Sequence, residues 1–483
     1  MDGKRRRRTA PPVLSHGHID DRRLRQDLPS SQTDSRSGHD HRIRPAESLE
    51  KDHSRADCRM SVVPIGTVSG DKEINAKRIL QSHSLKYTIG LAFICLIFAL
   101  PGAGWAQTSD TGIRKNEIYA DLQSKPYEYH GLGREKPEPE NVETIRIGLF
   151  APSRGPRAAD GLSSTRGAEL AIAQANAQGG LNGIPFELIT RTDDSPWGSA
   201  HEVVKLVYED QVWAIAGAIG GESTHVAQQI ITKAHLPLIG TTTTDASLTQ
   251  INIPWMFRLM PDDDAIAHTL ANHLIQKKGY HSIASIASTA YDHRLRAEAF
   301  EKDTARLGVP LALSLRFNPG DRDYSKQLSL IQRSGADAVV IWGGPVEGAA
   351  LVKALTAFQV FAGPGLDRAE FLRRAGTSAE GLIIVSLCDL GRNDPVLAKF
   401  KLDFSAAFGV HPDVVAAFAY DGIHLVTEAV RKAGLNRAKI RDVLAQTVIF
   451  DGVTGEIRFD GSGANTVQPV LLVVHEGELL PEP

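Results

Sequence analysis

Two short runs of small and hydroxylated residues hold the chemistry most available to this chain. Gly240-Thr241-Thr242-Thr243-Thr244-Asp245 follows an apolar run at 237–239. Threonines in a row at a strand end are poor core material and awkward in a helix. They suit a polar cleft or, through Thr244 or Asp245, the cap of the next helix. Upstream, an apolar run at 213–219 ends in Gly220-Gly221-Glu222-Ser223. A strand that turns on two glycines into a helix leaves backbone N–H groups free, which suits a carboxylate. Ser223 adds a hydroxyl there or serves only as a helix cap. Tyr291 follows the apolar run 282–286, and its ring can stack while its hydroxyl hydrogen-bonds. Arg154 and Arg157 stand in a Pro/Gly/Ser loop behind 145–150, where a guanidinium can grip a carboxylate or phosphate bidentately or stay solvated. Trp197, just beyond Asp193-Asp194, either walls a pocket or packs at its rim.

These groups bind; they do not make a reaction centre. The sequence has no G-x-S-x-G elbow, no Walker loop and no HExxH pair. Gly343-Gly344-Pro345-Val346-Glu347-Gly348 follows a strand and opens a helix, yet it lacks the glycine spacing of a dinucleotide site and carries Pro345. His201, His225, His235, His268, His273 and His281 show no metal spacing. The expectation is a protein that is not an enzyme, without cofactor or metal.

At 483 residues the chain allows more than one domain. Its 42% hydrophobic and 23% charged content is ordinary for a soluble globular protein, and a net charge of −3 argues against nucleic acid as a partner. Cys58, Cys95 and Cys388 have no disulfide or zinc spacing, and Cys388 reads as a buried apolar residue. Residues 1–85 read as a disordered extension, or in part as sequence upstream of a translation start at Met60. Lys77, Arg78 and Lys86, the apolar run 89–100 and Gly104-Trp105-Ala106 make a secretory signal over 86–106, with cleavage before Gln107. The apolar run is too short to span a bilayer comfortably. Residues 107–143 read as a linker, or as an arm packed on the body through Tyr119, Tyr127 and Tyr129.

The elements that would position these groups alternate from residue 145 onward. The segment IRIGLFAPSRGP reads as a buried strand and its loop, and GAELAIAQANAQGG as a helix with Ala168, Ala171, Ile172 and Ala175 on one stripe. LNGIPFELITRTDDSPW adds a second strand, which completes a βαβ unit with a parallel sheet. Strand and helix patterns then alternate to a crossover at Pro261-Asp262-Asp263-Asp264, restart, and cross again after a strand at 381–386. Helices at 396–408, 414–433 and 439–447 follow. The tail, 455–459 and 467–475 around Gly461-Ser462-Gly463, reads as a hairpin.

The opening unit and the order of these motifs resemble the Leu/Ile/Val-binding family of type I periplasmic binding proteins, over roughly residues 145–480. The resemblance implies an α/β fold of two doubly wound parallel-sheet lobes joined by hinge strands, with the ligand cleft between them at the carboxyl ends of strands. Lobe 1 would take 144–263 plus 390–455, and lobe 2 would take 264–389 plus 456–480. It also implies site roles. The position of a carboxylate-binding serine is Gly221 here, so hydroxyl recognition is either lost or moved to Ser223. A backbone carbonyl for a ligand ammonium and a hydroxyl for its carboxylate fall on Thr242 and Thr244, and a closing aromatic on Tyr291. The acidic partner of the ammonium would be Asp367, because Gly365 stands at the direct match. Asp160 occupies the place of a cleft aromatic. The function implied is an exported, periplasmic solute-binding protein of an ABC importer that traps an amino acid or related small polar solute. It would act as a monomer and deliver to an inner-membrane permease. The alternative is a ligand-sensing receptor module of the same fold, of an amide or urea regulator or a chemosensory type.

Overall fold

Strand β1 (Ile145–Ala151) is buried at all but one position, because a parallel sheet with helices on both faces leaves no wet side. The computed structural model describes residues 129–192, 196–447 and 449–483, all within one compact unit; nothing is described of the side chains of 196–198. The expected extension, the signal, Gln107, Tyr119, Tyr127 and the side chain of Trp197 lie outside the described residues.

In chain order, α1 (Ala158–Ala177), β2 (Phe186–Thr192), α2 (Pro196–Tyr208), β3 (Ile215–Gly217), α3 (Gly221–Ala234), β4 (Leu238–Gly240), α4 (Ser247–Gln250) and β5 (Met256–Arg258) complete the first half. The strands form one parallel sheet in the order β2-β1-β3-β4-β5. A second set follows: α5 (Asp263–Asn272), a π turn (His273–Lys277), β6 (Ile283–Ser288), α6 (Tyr291–Arg306), β7 (Leu313–Phe317), α7 (Ser325–Arg333), β8 (Ala338–Trp342), α8 (Pro345–Ala354), β9 (Gln359–Ala362), α9 (Ala369–Ala375) and β10 (Ile383–Ser386). The chain returns with α10 (Pro395–Phe408), α11 (Val414–Ala433), α12 (Arg437–Gln446), β11 (Ile449–Gly452) and β12 (Gly455–Arg458), then ends in β13 (Val470–His475) and β14 (Glu478–Pro481). The second sheet runs β14-β13-β10-β9-β8-β6-β7. The architecture is therefore two α/β lobes, each with a doubly wound sheet.

The small-residue stripe of α1 works as its spacing suggests. Ala168, Ala171, Ile172 and Ala175 are buried, and a Cβ on Gly167 would stand 2.1 Å from the carbonyl oxygen of Ala416 on α11. Only glycine permits that approach, and it docks the returning helix on lobe 1.

The tail departs from its sequence reading. The strand at 455–458 pairs with β11, whereas β13 joins the second sheet between β10 and β14. Alternation marks a strand but not its partner, and β13 crosses to the lobe whose edge it can complete. A short strand, β9, follows α8 and pairs in parallel with β8 and β10. The described part of the arm packs on lobe 1. Tyr129 lies edge-on to Trp255 at 4.7 Å, and Asn436 Nδ2 donates to the carbonyls of Gly133, Arg134 and Lys136.

Three connections join the lobes, after β5, β10 and β12. The first and third run side by side: Arg258 N donates to Gly463 O at 2.9 Å, and Asn465 N donates to Arg258 O at 3.0 Å.

Candidate functional site

The turns behind β1, β3 and β4 meet the start of α6 and the loop behind β9. Gly220, at φ 89°, ends the strand-side turn and caps α3 without any side-chain bond. Its N–H donates to Thr242 O at 2.8 Å, which ties the two lobe 1 turns together. From lobe 2, Tyr291 donates its hydroxyl to Asp245 Oδ2 at 2.9 Å. Its neighbour Asp292 accepts from Gly221 N at 2.8 Å and from Arg157 Nη1 at 3.3 Å. Arg368, at the start of α9, pairs with Asp160 on α1. Tyr291, Asp292 and Arg368 of lobe 2 thus meet Asp245, Gly221, Arg157 and Asp160 of lobe 1.

The absence of a side chain at Gly221 makes this contact possible. A Cβ there would lie 2.8 Å from both Asp245 Oδ2 and Tyr291 Cε1. Asp245 is itself held in place. His225 Nε2 lies 3.0 Å from its Oδ2, while Ser247 N and Oγ donate to Oδ1 at 2.9 and 2.7 Å. Burial pushes this carboxyl up, but the bonds from His225, Ser247 and Tyr291 outweigh burial and hold it well below the usual carboxylate range. Asp245 therefore stays an acceptor. Burial and the bond to Asp245 push the Tyr291 hydroxyl up to about 12, so it stays a donor. Beside Asp292, burial and the charge of Arg296 push the His293 imidazole down to about 4, and its Nδ1 is buried without a partner among the described residues.

Gly221, Tyr291 and Asp160 all sit at this interface. Thr242 adjoins it, with its Oγ1 buried and without a partner among the described residues. Ser223 is half-buried on the first turn of α3 and does not cap it. Two other residues are engaged elsewhere. Asp367 accepts from Ser386 Oγ and from Gly365 N, within lobe 2. Thr244 Oγ1 donates to Asp263 and accepts from Arg296 Nη2 at 3.0 Å, so its hydroxyl works at the base of the hinge. Thr244→Val is expected to lower stability by about 1–3 kcal/mol, because it leaves a buried carboxyl and guanidinium short of a partner. A urea midpoint equal to that of the parent would show the hydroxyl to be dispensable.

Asp292 and Arg368 were not singled out in the sequence, while Asp245 was read only as a helix cap and His225 only as a histidine without metal spacing. Asp292 had one signal, its place beside an aromatic at a strand-to-helix turn. Arg368 had none, since its partner lies 208 residues away. Among the described residues, no group of three or more His, Cys, Asp or Glu side chains is placed to hold a metal ion.

The arrangement gathers carboxylates, a guanidinium, hydroxyls and backbone donors, groups that can hydrogen-bond a small polar molecule. Comparison with known proteins agrees with that reading. The family described as "Periplasmic binding protein" matches residues 144–477. A Leu/Ile/Val-binding protein homolog 2 from Brucella abortus is 27% identical over 68% of this chain and 89% of its own length. A leucine-, isoleucine-, valine-, threonine- and alanine-binding protein from Pseudomonas aeruginosa is 25% identical over 67% of this chain and 87% of its own. Among solved structures, the branched-chain amino acid transporter substrate binding protein LivJ from Streptococcus pneumoniae, in complex with isoleucine, superposes with a TM-score of 0.64. It is 26% identical and covers 70% of this chain and 100% of its own.

Proposed function

The chain belongs to the periplasmic binding protein family, and from that premise we propose that it is an exported solute-binding protein of an ABC importer that holds an amino acid or a related small polar solute between its lobes. One observation carries most of this reading. The start of α6, with Tyr291 and Asp292, meets the α3 turn and Asp245 at the carboxyl ends of the strands, where open α/β sheets bind ligands. Three connecting segments allow the lobes to move as bodies about a hinge, so a ligand that bridges both lobes would favour the closed form. In this reading the signal at 86–106 is removed before Gln107, the protein works as a periplasmic monomer, and an inner-membrane permease receives the solute. No chemistry on the ligand is involved.

A thermal-shift screen of the purified protein against amino acids, their amides and small carboxylates tests it. A ligand at about one hundred times its Kd is expected to add about 2.7 kcal/mol of stability. A screen in which no such compound moves the transition would falsify the assignment of this ligand class.

A further inference from the structure

We propose that Asp292 is a built-in carboxylate standing where a ligand carboxylate would bind, so that the cleft prefers small polar solutes bearing an amide or other uncharged group there and disfavours free acids. This rests on the solute-binding reading above and names the substrate class of the same site.

The donors at the α3 turn decide which ligand group it can take. The first N–H of the helix, from Gly221, is the natural seat for an anion, and Asp292 Oδ1 takes it at 2.8 Å. The nearest cation, Arg157, meets the other oxygen of the same carboxylate at 3.3 Å and also lies 4.0 Å from Asp160. The backbone donor and one N–H of the guanidinium are therefore engaged by one side chain of lobe 2. A second anion at this seat would face Asp292 and also Asp245, whose Oδ2 lies 2.8 Å from where a Cβ on Gly221 would stand. Like charges so placed disfavour each other strongly.

The missing side chain at position 221 bears on the same point. A serine there would bring a hydroxyl to a ligand carboxylate, but its Cβ would collide with Asp245 and the Tyr291 ring. The chain has no hydroxyl at this position and has a carboxylate facing it. Beside this contact two uncharged groups, Thr242 Oγ1 and His293 Nδ1, are buried and without a partner among the described residues. A hydroxyl and a neutral imidazole suit an amide, which both donates and accepts.

Calorimetric titration with matched pairs decides the matter: L-leucine against L-leucinamide, L-alanine against L-alaninamide, and propionate against propionamide. The purified protein is expected to bind the amide of a pair at least about tenfold tighter than the acid, a difference well within calorimetric resolution. Asp292→Ala is expected to shift that ratio toward the acid by at least about tenfold. Asp292→Asn, which keeps the shape and removes the charge, should move it in the same direction and serves if the alanine variant does not fold. Acids that bind the parent protein more tightly than their amides overturn the proposal while leaving the solute-binding function intact. A ratio unchanged in both variants does the same. If no member of any pair binds, the solute-binding reading for this ligand class fails, and this proposal fails with it.

Discussion

Asp421→Ala is expected to lower stability by about 3–5 kcal/mol, among the largest effects of any single substitution in this fold. Asp421 sits on α11 at 1% exposure, and its carboxylate accepts from Val453 N, Thr454 N and Thr454 Oγ1 at 2.9, 2.9 and 2.7 Å. Those donors form the tight turn between β11 and β12, just before the third inter-lobe connection. Arg392, in the second connection, donates to the carbonyl of Val453 at 2.8 Å on the other side of the same turn. Alanine would leave two backbone amides and a hydroxyl without their acceptor. It would also open a void beside Gly452, where a Cβ would now lie 2.3 Å from Asp421 Oδ2. Burial pushes this carboxyl up to about 6 against the pull of the Thr454 and Val453 donors. The comparison is therefore made near pH 8, where the carboxylate is the form present. The readout is the urea midpoint. A loss below about 1 kcal/mol would mean that water or a shifted turn replaces the acceptor at little cost. Since Asp421 and Arg392 brace two of the three connections, the variant is also expected to weaken ligand binding more than a core cavity of equal cost.

How much of this was legible in the sequence depends on the distance over which each feature is decided. The alternation of strand and helix is local, and β8 and α11 lie at the residues their patterns mark. The turn at Gly220-Gly221 was equally plain, because only glycines tolerate its geometry and the helix behind it is amphipathic. Partners were another matter. The strand at 455–458 was recognisable, yet nothing in its alternation says that it pairs with β11 rather than β13. The site shows the same division. Tyr291 was visible as an aromatic at a strand-to-helix turn, but Asp292 matters through Gly221 and Arg157, 71 and 135 residues away. Thr244 illustrates the converse. Its hydroxyl looked available because it stands in a run of threonines at a strand end, while the groups that claim it, Asp263 and Arg296, lie 19 and 52 residues further along the chain.

Arg296→Met is expected to cost about 1–2 kcal/mol near pH 6 and about 3–5 kcal/mol near pH 9.5. Asp263 opens α5 at 5% exposure, with Arg296 Nε 3.3 Å from its Oδ1. Burial pushes the Asp263 carboxyl up to about 8 from an ordinary 3.8, against the pull of Arg296 and the Thr244 hydroxyl. Between those values the native protein holds one proton more than the unfolded chain. Stability from this group therefore falls as pH rises through the window and levels off above it. Methionine keeps much of the side-chain volume but removes the cation that most opposes burial. The carboxyl then holds its proton to higher pH, and the falling limb continues past 8. Below that point Asp263 is neutral with or without Arg296, so only hydrogen bonds to Thr244 are lost. Urea midpoints at the two pH values give the test, and the sign is the decisive part: the gap between parent and variant must widen with pH. A constant gap would mean that Asp263 is ionised throughout and that Arg296 acts only by packing. A gap that narrowed would place the proton elsewhere in the Asp263–Thr244–Arg296 contact.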